Sequence, residues 1–401
     1  MENADQFPYL RKSLLGPWWK EADNKCTIES ADEFELSMNK PAPPLRDQPP
    51  PPLPPKAPPK PKDPPTSVIE GLVDAVIKVR EWANSPPAPK PAPAAAPAIH
   101  KPRVKPFDLQ DIPGAMRKIG WLKSAEVMGK WFAGPLNYAN TDEGAVRGIN
   151  HEGKPFPPAA VDTKTFDLKW ILQFPRAKKK FDELVNLKLF NPAANAALRL
   201  KFSRRQPSPY YVDTWNILEN DIQRWHRDFQ YQRVDVDDDE LTKLEMFARG
   251  LFRPNGLWMD DLYGSLGAFS FYAAVSGFSY RRVAHTRTSL RIHEVCIYMR
   301  DVFTFHDRSN QRGTQYLGHW NKTGFIVVPI STIFGELTKA DWPNYPVARN
   351  GVISENSVYY PVRNMDYRRW QLRYGQGSDL VLYSNVHRVP FYPPKIIEFD
   401  L

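Results

Sequence analysis

Hydrophobic residues follow two different spacings along this sequence. Between residues 107 and 202 they recur every three to four positions, as Met116 with Ile119 and Val127 with Trp131 do, which is the period of an amphipathic helix. After Trp258 they form short runs rich in β-branched and aromatic side chains, separated by Gly, Asn, Asp and Pro. Helices followed by strands predict an α+β fold with a mainly antiparallel sheet. The predicted helical segments span residues 111–132 and 166–202, and the predicted strands span residues 269–275, 293–299, 324–328 and 380–384.

The first 106 residues differ from the rest in composition, because most of the 41 prolines concentrate there. Proline-rich chain favours extended polyproline II, so we expect a disordered leader before a folded domain. The predicted organisation is an aromatic-containing leader, a proline-rich linker, an amphipathic helix, a Pro/Ala-rich linker and a single folded α+β domain, over residues 1–40, 41–65, 66–84, 85–106 and 107–401.

Two parts of the leader carry apolar side chains that need a partner. The aromatic residues of the first segment indicate either a docking peptide or a segment that packs back on the domain. The helix over residues 66–84 has to bury its apolar stripe against the main domain, another copy or a carrier protein. The aromatic residues are Phe7, Tyr9, Trp18 and Trp19.

The formal net charge of +9 does not favour a nucleic-acid partner, because of where the charge lies. Residues 41–105 contain ten Lys/Arg and five Asp/Glu, so more than half of the excess is in the proline-rich part. Two cysteines provide neither a disulfide framework nor a metal-binding spacing. No signal peptide and no run of about 18 apolar residues is recognisable, so we expect synthesis in the cytoplasm and no transmembrane segment.

Carboxylates and imidazoles cluster in the segment from residue 298 to 321. Asp301, His306, Asp307 and His319 are expected on loops between two strands, where they could act as acid and base or bind a divalent metal. Their spacing matches no established metal motif, so metal and cofactor stay unknown. In the alternative interpretation Asp301 caps a turn and His319 forms a hydrogen bond in the core.

A second segment, residues 360–384, adds one more candidate. Asn364 is predicted to cap a helix whose stripe of Tyr367, Trp370 and Tyr374 faces the core, and Gly375 ends that helix. Asp379 follows in a turn and would join the first cluster if the strands after it and around Asp301 pair. The catalytic candidates are therefore Asp301, His306, Asp307, His319 and Asp379.

Arginine and aromatic side chains of the strand-rich part also suit recognition of a ligand without catalysis. The candidate ligand-binding residues are Arg281, Arg287, Tyr316 and Trp320.

Four ordered blocks together resemble an uncharacterised bacterial family, domain of unknown function 6402. The blocks are DIPGAMRKIGWLKSAEVMGKWF (111–132), DDLYGSLGAFSFYA (260–273), YMRDVFTFHD with QYLGHWN (298–321) and VRNMDYRRWQLRYGQGSDLVLYSNV (362–386). The resemblance implies cargo of a type VI secretion system, since members are typically encoded beside spike and tip components. It implies secretion without a signal peptide and contact of residues 1–105 with a spike or tip protein.

Three functions are compatible with this resemblance. The first is a secreted effector that binds an extracellular ligand, a metal complex or an outer-membrane or vesicle component without catalysis. The second is an antibacterial toxin with hydrolytic or metal-dependent activity centred on Asp301, His306 and His319. The third is a structural adaptor on the secretion spike.

Overall fold

The structure is a computed structural model of the chain. It describes residues 9–13, 16–20, 36–46, 106–203, 205, 209–236, 259–284, 287–307, 314–326, 346–348 and 356–400. The predicted proline-rich linker beyond residue 46, the helix over residues 66–84 and the Pro/Ala-rich linker up to residue 105 lie outside the described residues. Within the described residues no helix is both long enough and apolar enough to cross a membrane.

Helices dominate the first part of the domain, as predicted. They are α1 (Ile112–Lys118), α2 (Leu122–Phe132), α3 (Asp142–Arg147), α4 (Leu168–Ile171), α5 (Pro175–Glu183), α6 (Pro192–Phe202) and α7 (Ile222–Phe229). The predicted helix over residues 111–132 is two helices, because Gly120 takes a φ of 84° and turns the chain between them. Two later helices are α8 (Asp261–Leu266) and α9 (Asn364–Tyr374).

A seven-stranded sheet is built around the hairpin of β6 (Phe269–Ala284) and β7 (Arg287–Phe303). β4 (Val212–Asp213) and β5 (Gln230–Val236) pair with β6, whereas β12 (Leu380–Ser384) and β13 (His387–Asp400) pair with β7. β3 (Val161–Phe166) lies parallel to β12, and the other pairings among the described strands are antiparallel. The predicted α+β fold is confirmed, with one parallel pair added to the sheet.

Helices cover both faces of the large sheet. Phe181 of α5 packs edge-on against Phe271, with ring centroids 5.5 Å apart. Trp225 of α7 packs against Tyr298, which lies opposite Tyr272, with ring centroids 5.1 Å apart. Because successive residues of a strand point to opposite faces, α5 and α7 lie on opposite sides of the sheet.

A smaller four-stranded sheet forms a second core with α1, α2 and α9. Its strands are β8 (Tyr316–Asn321), β9 (Gly324–Ile326), β10 (Val347–Ala348) and β11 (Val358–Arg363), in the order β10-β11-β8-β9. Aromatic contacts fill this core: Phe305 stacks on Tyr367 at 3.6 Å between centroids, and Trp131 lies 5.8 Å from Trp370. Val127 of α2 belongs to the first core and Trp131 to the second, so α2 is shared by both.

The predicted boundary between leader and linker falls inside a segment that is bound to the domain. The Tyr374 hydroxyl donates to the Met38 carbonyl at 2.5 Å, and Gln376 donates to the Pro43 carbonyl at 2.8 Å. A proline-containing segment cannot form a regular hydrogen-bond ladder of its own, and these side chains satisfy its carbonyls instead. Further upstream, β1 (Tyr9–Ser13) and β2 (Gly16–Lys20) form an antiparallel hairpin within the predicted leader.

The predicted helix that ends before Gly375 is confirmed, and its stripe faces the second core, with Tyr374 only partly buried there, whereas the predicted N-cap is wrong. Tyr367 and Trp370 are buried, and Gly375 ends the helix in the left-handed conformation with φ 59°. The N-cap is Arg363 rather than Asn364. Asp366 accepts from the Arg363 main-chain N–H at 2.8 Å, while Asn364 is the first residue of the helix and points its amide at Asp307.

Asp261 of α8 caps the start of α2, which has no side-chain cap of its own. Its carboxylate accepts from the main-chain N–H groups of Lys123 and Ser124, both at 2.8 Å. Such a cap stabilises a helix by about 1 kcal/mol. One turn along α8, Gly264 has no Cβ, and this allows the helix to approach Trp121 and Ser124 closely.

We expect Gly264→Ala to lower the free energy of unfolding by about 1–3 kcal/mol, because the core has no space for another methyl group. The new Cβ would lie 2.5 Å from Cε3 of the buried Trp121 and 2.7 Å from the Ser124 hydroxyl. Thermal and urea unfolding of the full chain measure the change. Gly129→Ala is the control, because nothing lies within 4 Å of its Cβ position. That variant should gain about 0.5–1 kcal/mol from helix propensity, and equal effects of the two changes would contradict the packing argument.

Candidate functional site

Three of the five predicted catalytic residues lie around the point where β7 ends. Thr304 follows the last residue of that strand and joins two of them through its hydroxyl. The hydroxyl donates to Oδ2 of Asp379 at 2.7 Å and accepts from the main-chain N–H of His306 at 3.2 Å. The strand pairing that was expected to bring Asp379 to the first cluster is present, because Leu380 lies opposite Phe303.

Asp379 is completely buried and binds groups from two other parts of the chain. Oδ1 accepts from Nε1 of Trp131 at 3.3 Å, and Oδ2 also accepts from the Ala139 N–H at 3.2 Å. Its own N–H donates to the Asn137 carbonyl at 2.7 Å. Burial raises the pKa of Asp379, while the Thr304 hydrogen bond and the charge of Arg368 oppose that change. Asp379 therefore positions α2 and the loop over residues 133–139.

His306 and Asp307 lie at the surface side of this network. Nε2 of His306 is 3.3 Å from Oδ1 of Asp142, the exposed first residue of α3. Oδ1 of Asp307 accepts from the Gln315 N–H and from Nδ2 of Asn364, both at 2.9 Å. His306 thus has a carboxylate beside it. Both hydrogen bonds of Asp307 instead connect α9 with the chain before β8.

Arg368 of α9 completes the surface beside these residues. Its Cζ lies 3.8 Å from the ring centroid of Tyr138, and the imidazole of His151 stacks on the same ring at 4.1 Å and 9°. Two groups at such short distances have to lie on opposite faces of the ring, so the three side chains form a stack. Burial lowers the pKa of Arg368, and the charges of Asp379 and Asp307 oppose this. Within the described residues, the buried Nδ1 of His151 has no hydrogen-bond partner.

The other two catalytic candidates do not join this hydrogen-bond network. Asp301 is inside β7, opposite Leu382 of β12, rather than on a loop. His319 is completely buried within β8, and its Nδ1 hydrogen-bonds the Tyr316 hydroxyl. The described part of the chain contains no group of three or more His, Cys, Asp or Glu side chains arranged to hold a metal ion.

The four predicted ligand-binding residues do not share a surface. Trp320 is a core residue of the small sheet, where its Nε1 donates to the Leu317 carbonyl at 3.0 Å and its ring stacks on Phe325. Arg281 and Arg287 are exposed near the turn of the β6–β7 hairpin, and Nε of Arg287 lies 3.6 Å from the Glu398 carboxylate. Such an exposed ion pair contributes little to stability.

Four residues of this surface were not predicted from the sequence, and three of them lie close together in the chain, more than 200 residues before the fourth. They are Tyr138, Asp142, His151 and Arg368. Among these four residues, only Arg368 could have been selected from the sequence. It directly follows Tyr367 of the core stripe and therefore lies at the border of the buried face of the helix.

Removal of the Asp379 carboxylate should destabilise the whole domain. Asp379→Ala leaves Trp131 Nε1, the Ala139 N–H and the Thr304 hydroxyl without their acceptor, and we expect a loss of about 2–4 kcal/mol. Denaturant unfolding measures it. Asp142→Ala is the matched control because this carboxylate is exposed, and its effect should stay within about 0.5 kcal/mol. A similar small effect of both substitutions would show that Asp379 is not a scaffold residue.

Asp301 should make stability fall as the pH rises. Burial raises the pKa of Asp301 to about 7, although the Val302 N–H and the Arg300 charge oppose the change. The folded state therefore binds more protons than the unfolded state between the ordinary pKa of 3.8 and about 7, and stability is lost across that interval. We expect the stability advantage of Asp301→Asn over the unsubstituted protein to grow by on the order of 2 kcal/mol between about pH 5 and about pH 8.

Chemical denaturation at several pH values tests this expectation. Glu219→Gln is the control, because Glu219 is exposed and its substitution should give no such growth. An Asp301→Asn curve parallel to that of the unsubstituted protein would refute the role of the Asp301 carboxyl.

Comparison with known proteins identifies a family but no characterised relative. No curated protein and no solved structure matches the chain. A model of DUF6402, described as a family of unknown function, matches residues 107–399, which include both sheets and every residue of the site described above. That match covers well over half of the chain, and the protein therefore belongs to the DUF6402 family.

Proposed function

We propose that this protein is a secreted effector of a type VI secretion system whose folded domain binds a ligand outside the producing cell without catalysis. The ligand is a small extracellular molecule, a metal complex or a component of an outer-membrane or vesicle surface. Delivery rests on the family resemblance, and binding rests on the geometry of the surface around Arg368.

The observation that carries the binding proposal is the Arg368–Tyr138–His151 stack. Arg368 donates from Nη1 to Gln371 at 2.7 Å and lies over the Tyr138 ring, so its planar guanidinium is held in one orientation before any ligand arrives. Side chains that are already ordered lose little entropy on binding, which favours affinity. Aromatic and arginine side chains are also the types that contribute most to binding surfaces.

The scaffold below the stack supports the same role. Tyr138 precedes Ala139, whose N–H binds Asp379, and Arg368 follows Tyr367, which stacks on Phe305 in the second core. Both partners of the stack are therefore attached to buried groups. In this proposal the scaffold keeps the surface rigid, while residues 1–105 contact the spike or tip protein.

A hydrolytic toxin is the second candidate, and one contact favours it. An imidazole beside a carboxylate provides the residue types of a general base and its orienting acid, and Nε2 of His306 lies 3.3 Å from Oδ1 of Asp142 without forming a hydrogen bond to it. Such a toxin would use His306 with Asp142, since Asp301 and His319 lie in separate strands. A structural adaptor remains the third candidate, and it shares the predicted spike contact of residues 1–105.

Substitution of Arg368 should remove ligand binding and leave the fold intact. We expect native mass spectrometry of the full chain, recovered from the medium of the producing bacterium, to show a retained ligand mass that Arg368→Met loses. Arg369→Met is the matched control, because Arg369 is the exposed neighbour in the same helix and its loss removes the same charge. A ligand retained equally by both variants would place binding elsewhere.

Expression in the cytoplasm and the periplasm of a test bacterium separates the two candidate functions. A binding effector leaves growth unchanged. Growth arrest that His306→Ala abolishes would replace the binding proposal by the toxin.

A further inference from the structure

Arg300 of β7 is a buried cation that lacks a carboxylate partner. Arg300 is only 8% exposed, and its side chain forms no ion pair with any residue that the structure describes. Nε donates to the Tyr383 hydroxyl at 3.3 Å, and Nη2 donates to the Val146 carbonyl at 2.7 Å. Burial of a positive charge beside neutral partners alone is unfavourable, and an anion is the group that would offset this cost.

Three phenols and one imidazole surround this arginine on one face of the sheet. Tyr383 of β12 lies opposite Arg300, and Tyr272 of β6 lies opposite Tyr298, two residues before Arg300 in β7. His226 of α7 covers them, with its ring centroid 4.8 Å from that of Tyr272 and 6.2 Å from that of Tyr383. Residues from four separate elements thus place polar groups in one location.

Three hydrogen-bond donors of this group have no partner among the described residues. They are Nη1 of Arg300, Nε2 of His226 and the hydroxyl of Tyr272, and none of them is among the fully enclosed unpaired atoms of the described residues. Nδ1 of His226 lies 2.7 Å from the Tyr298 hydroxyl. A neutral phenol that donates to Nδ1 leaves the imidazole proton on Nε2, which makes Nε2 a donor.

The electrostatic surroundings agree with that protonation state. Burial, followed by the charges of Arg300 and of Lys201 from α6, lowers the pKa of His226 to about 3, so its imidazole is neutral at ordinary pH. Burial also raises the pKa of Tyr298 well above its usual value and keeps the phenol protonated. The carboxylates nearby are engaged otherwise: Asp221 caps α7, and Asp235 accepts from Ser270 at 2.6 Å.

We propose that Arg300, His226 and Tyr272 form a binding site for a phosphate group. One charged and two neutral donors, supplied from two adjacent strands and a helix, suit a tetrahedral anion with several oxygens better than a planar carboxylate, which a guanidinium alone can bind in bidentate fashion. Because Arg300 is recessed, the phosphate belongs to a soluble ion or ester rather than to a membrane surface. The site involves neither Arg368 nor delivery, so it stands or falls independently of the proposed function.

Titration of the full chain with inorganic phosphate tests the site directly. We expect saturable binding by calorimetry together with a change of the His226 imidazole resonances in NMR spectra, because the anion accepts from Nε2. The pKa of His226 should rise in the complex, since a negative charge then offsets Arg300 and Lys201. Tyr272→Phe keeps the ring and removes one donor to an anion, and it should weaken phosphate binding about tenfold.

Two further variants complete the design. Arg300→Met should abolish binding, whereas Arg281→Met, which removes the same charge from an exposed position of the same hairpin, should leave it unchanged. If Arg300→Met fails to fold, Tyr272→Phe and the His226 resonances decide the question. Phosphate binding that is equal in the unsubstituted protein and Tyr272→Phe, with His226 unaffected, would overturn the proposal.

Two other ligands probe the chemistry and the source of the phosphate. Acetate should compete at least tenfold more weakly than phosphate, and preferential acetate binding would overturn the choice of a tetrahedral anion. Phosphatidylcholine vesicles that contain phosphatidic acid should not bind, and binding that requires Arg300 would overturn the assignment to a soluble phosphate.

Discussion

The two cores of this domain are connected through one buried carboxyl group. Asp379 binds Trp131 from α2, Ala139 from the loop that follows, and Thr304 from the end of β7. Trp131 and Ala139 lie more than 160 residues before Thr304 in the sequence, yet all three bind the same two oxygens. Burial of a carboxyl group is unfavourable unless hydrogen bonds satisfy it, and the three donors provide this compensation. The relative placement of the large sheet, α2 and the surface around Arg368 therefore follows from a local requirement for hydrogen bonding.

Periodicity predicted the fold class because apolar spacing is a local property of the chain. The strand over residues 380–384 was predicted with its bounds, and the stripe of Tyr367 and Trp370 faces the core as expected. Features that depend on contacts between distant residues could not be predicted from apolar spacing. Asp301 lies in a strand because β7 continues for 17 residues through polar positions, and its length is set by pairing with β6, β12 and β13. The N-cap moved from Asn364 to Arg363 because the Asn364 amide binds Asp307, a partner that only the folded chain provides.

The candidate site could be predicted only in part, because several of its residues are defined by contacts between distant segments. His306, Asp307 and Asp379 stood out by residue type, and the expected strand pairing unites them. Tyr138, Asp142, His151 and Arg368 are ordinary residues in the sequence and gain significance only through contacts across the fold. Arg300 is another residue whose surroundings could not be predicted from its neighbours in the sequence. Its neighbour Asp301 drew attention as a candidate acid, but the two side chains point to opposite faces of β7 and serve unrelated surroundings.

The parallel pair of β3 and β12 has a consequence for how the chain acquires its fold. Val161 lies beside Val381, so more than 200 residues have to be synthesised before β3 gains its partner. β12 and β13 supply one whole side of β7, and they follow it by more than 70 residues in the chain. Contacts between distant parts of a chain slow folding, and sheet edges that wait for a partner are prone to aggregation. The helical first part of the domain is consequently synthesised well before the strands that complete the sheet, and the edge of β7 stays open to aggregation until β12 and β13 pair with it.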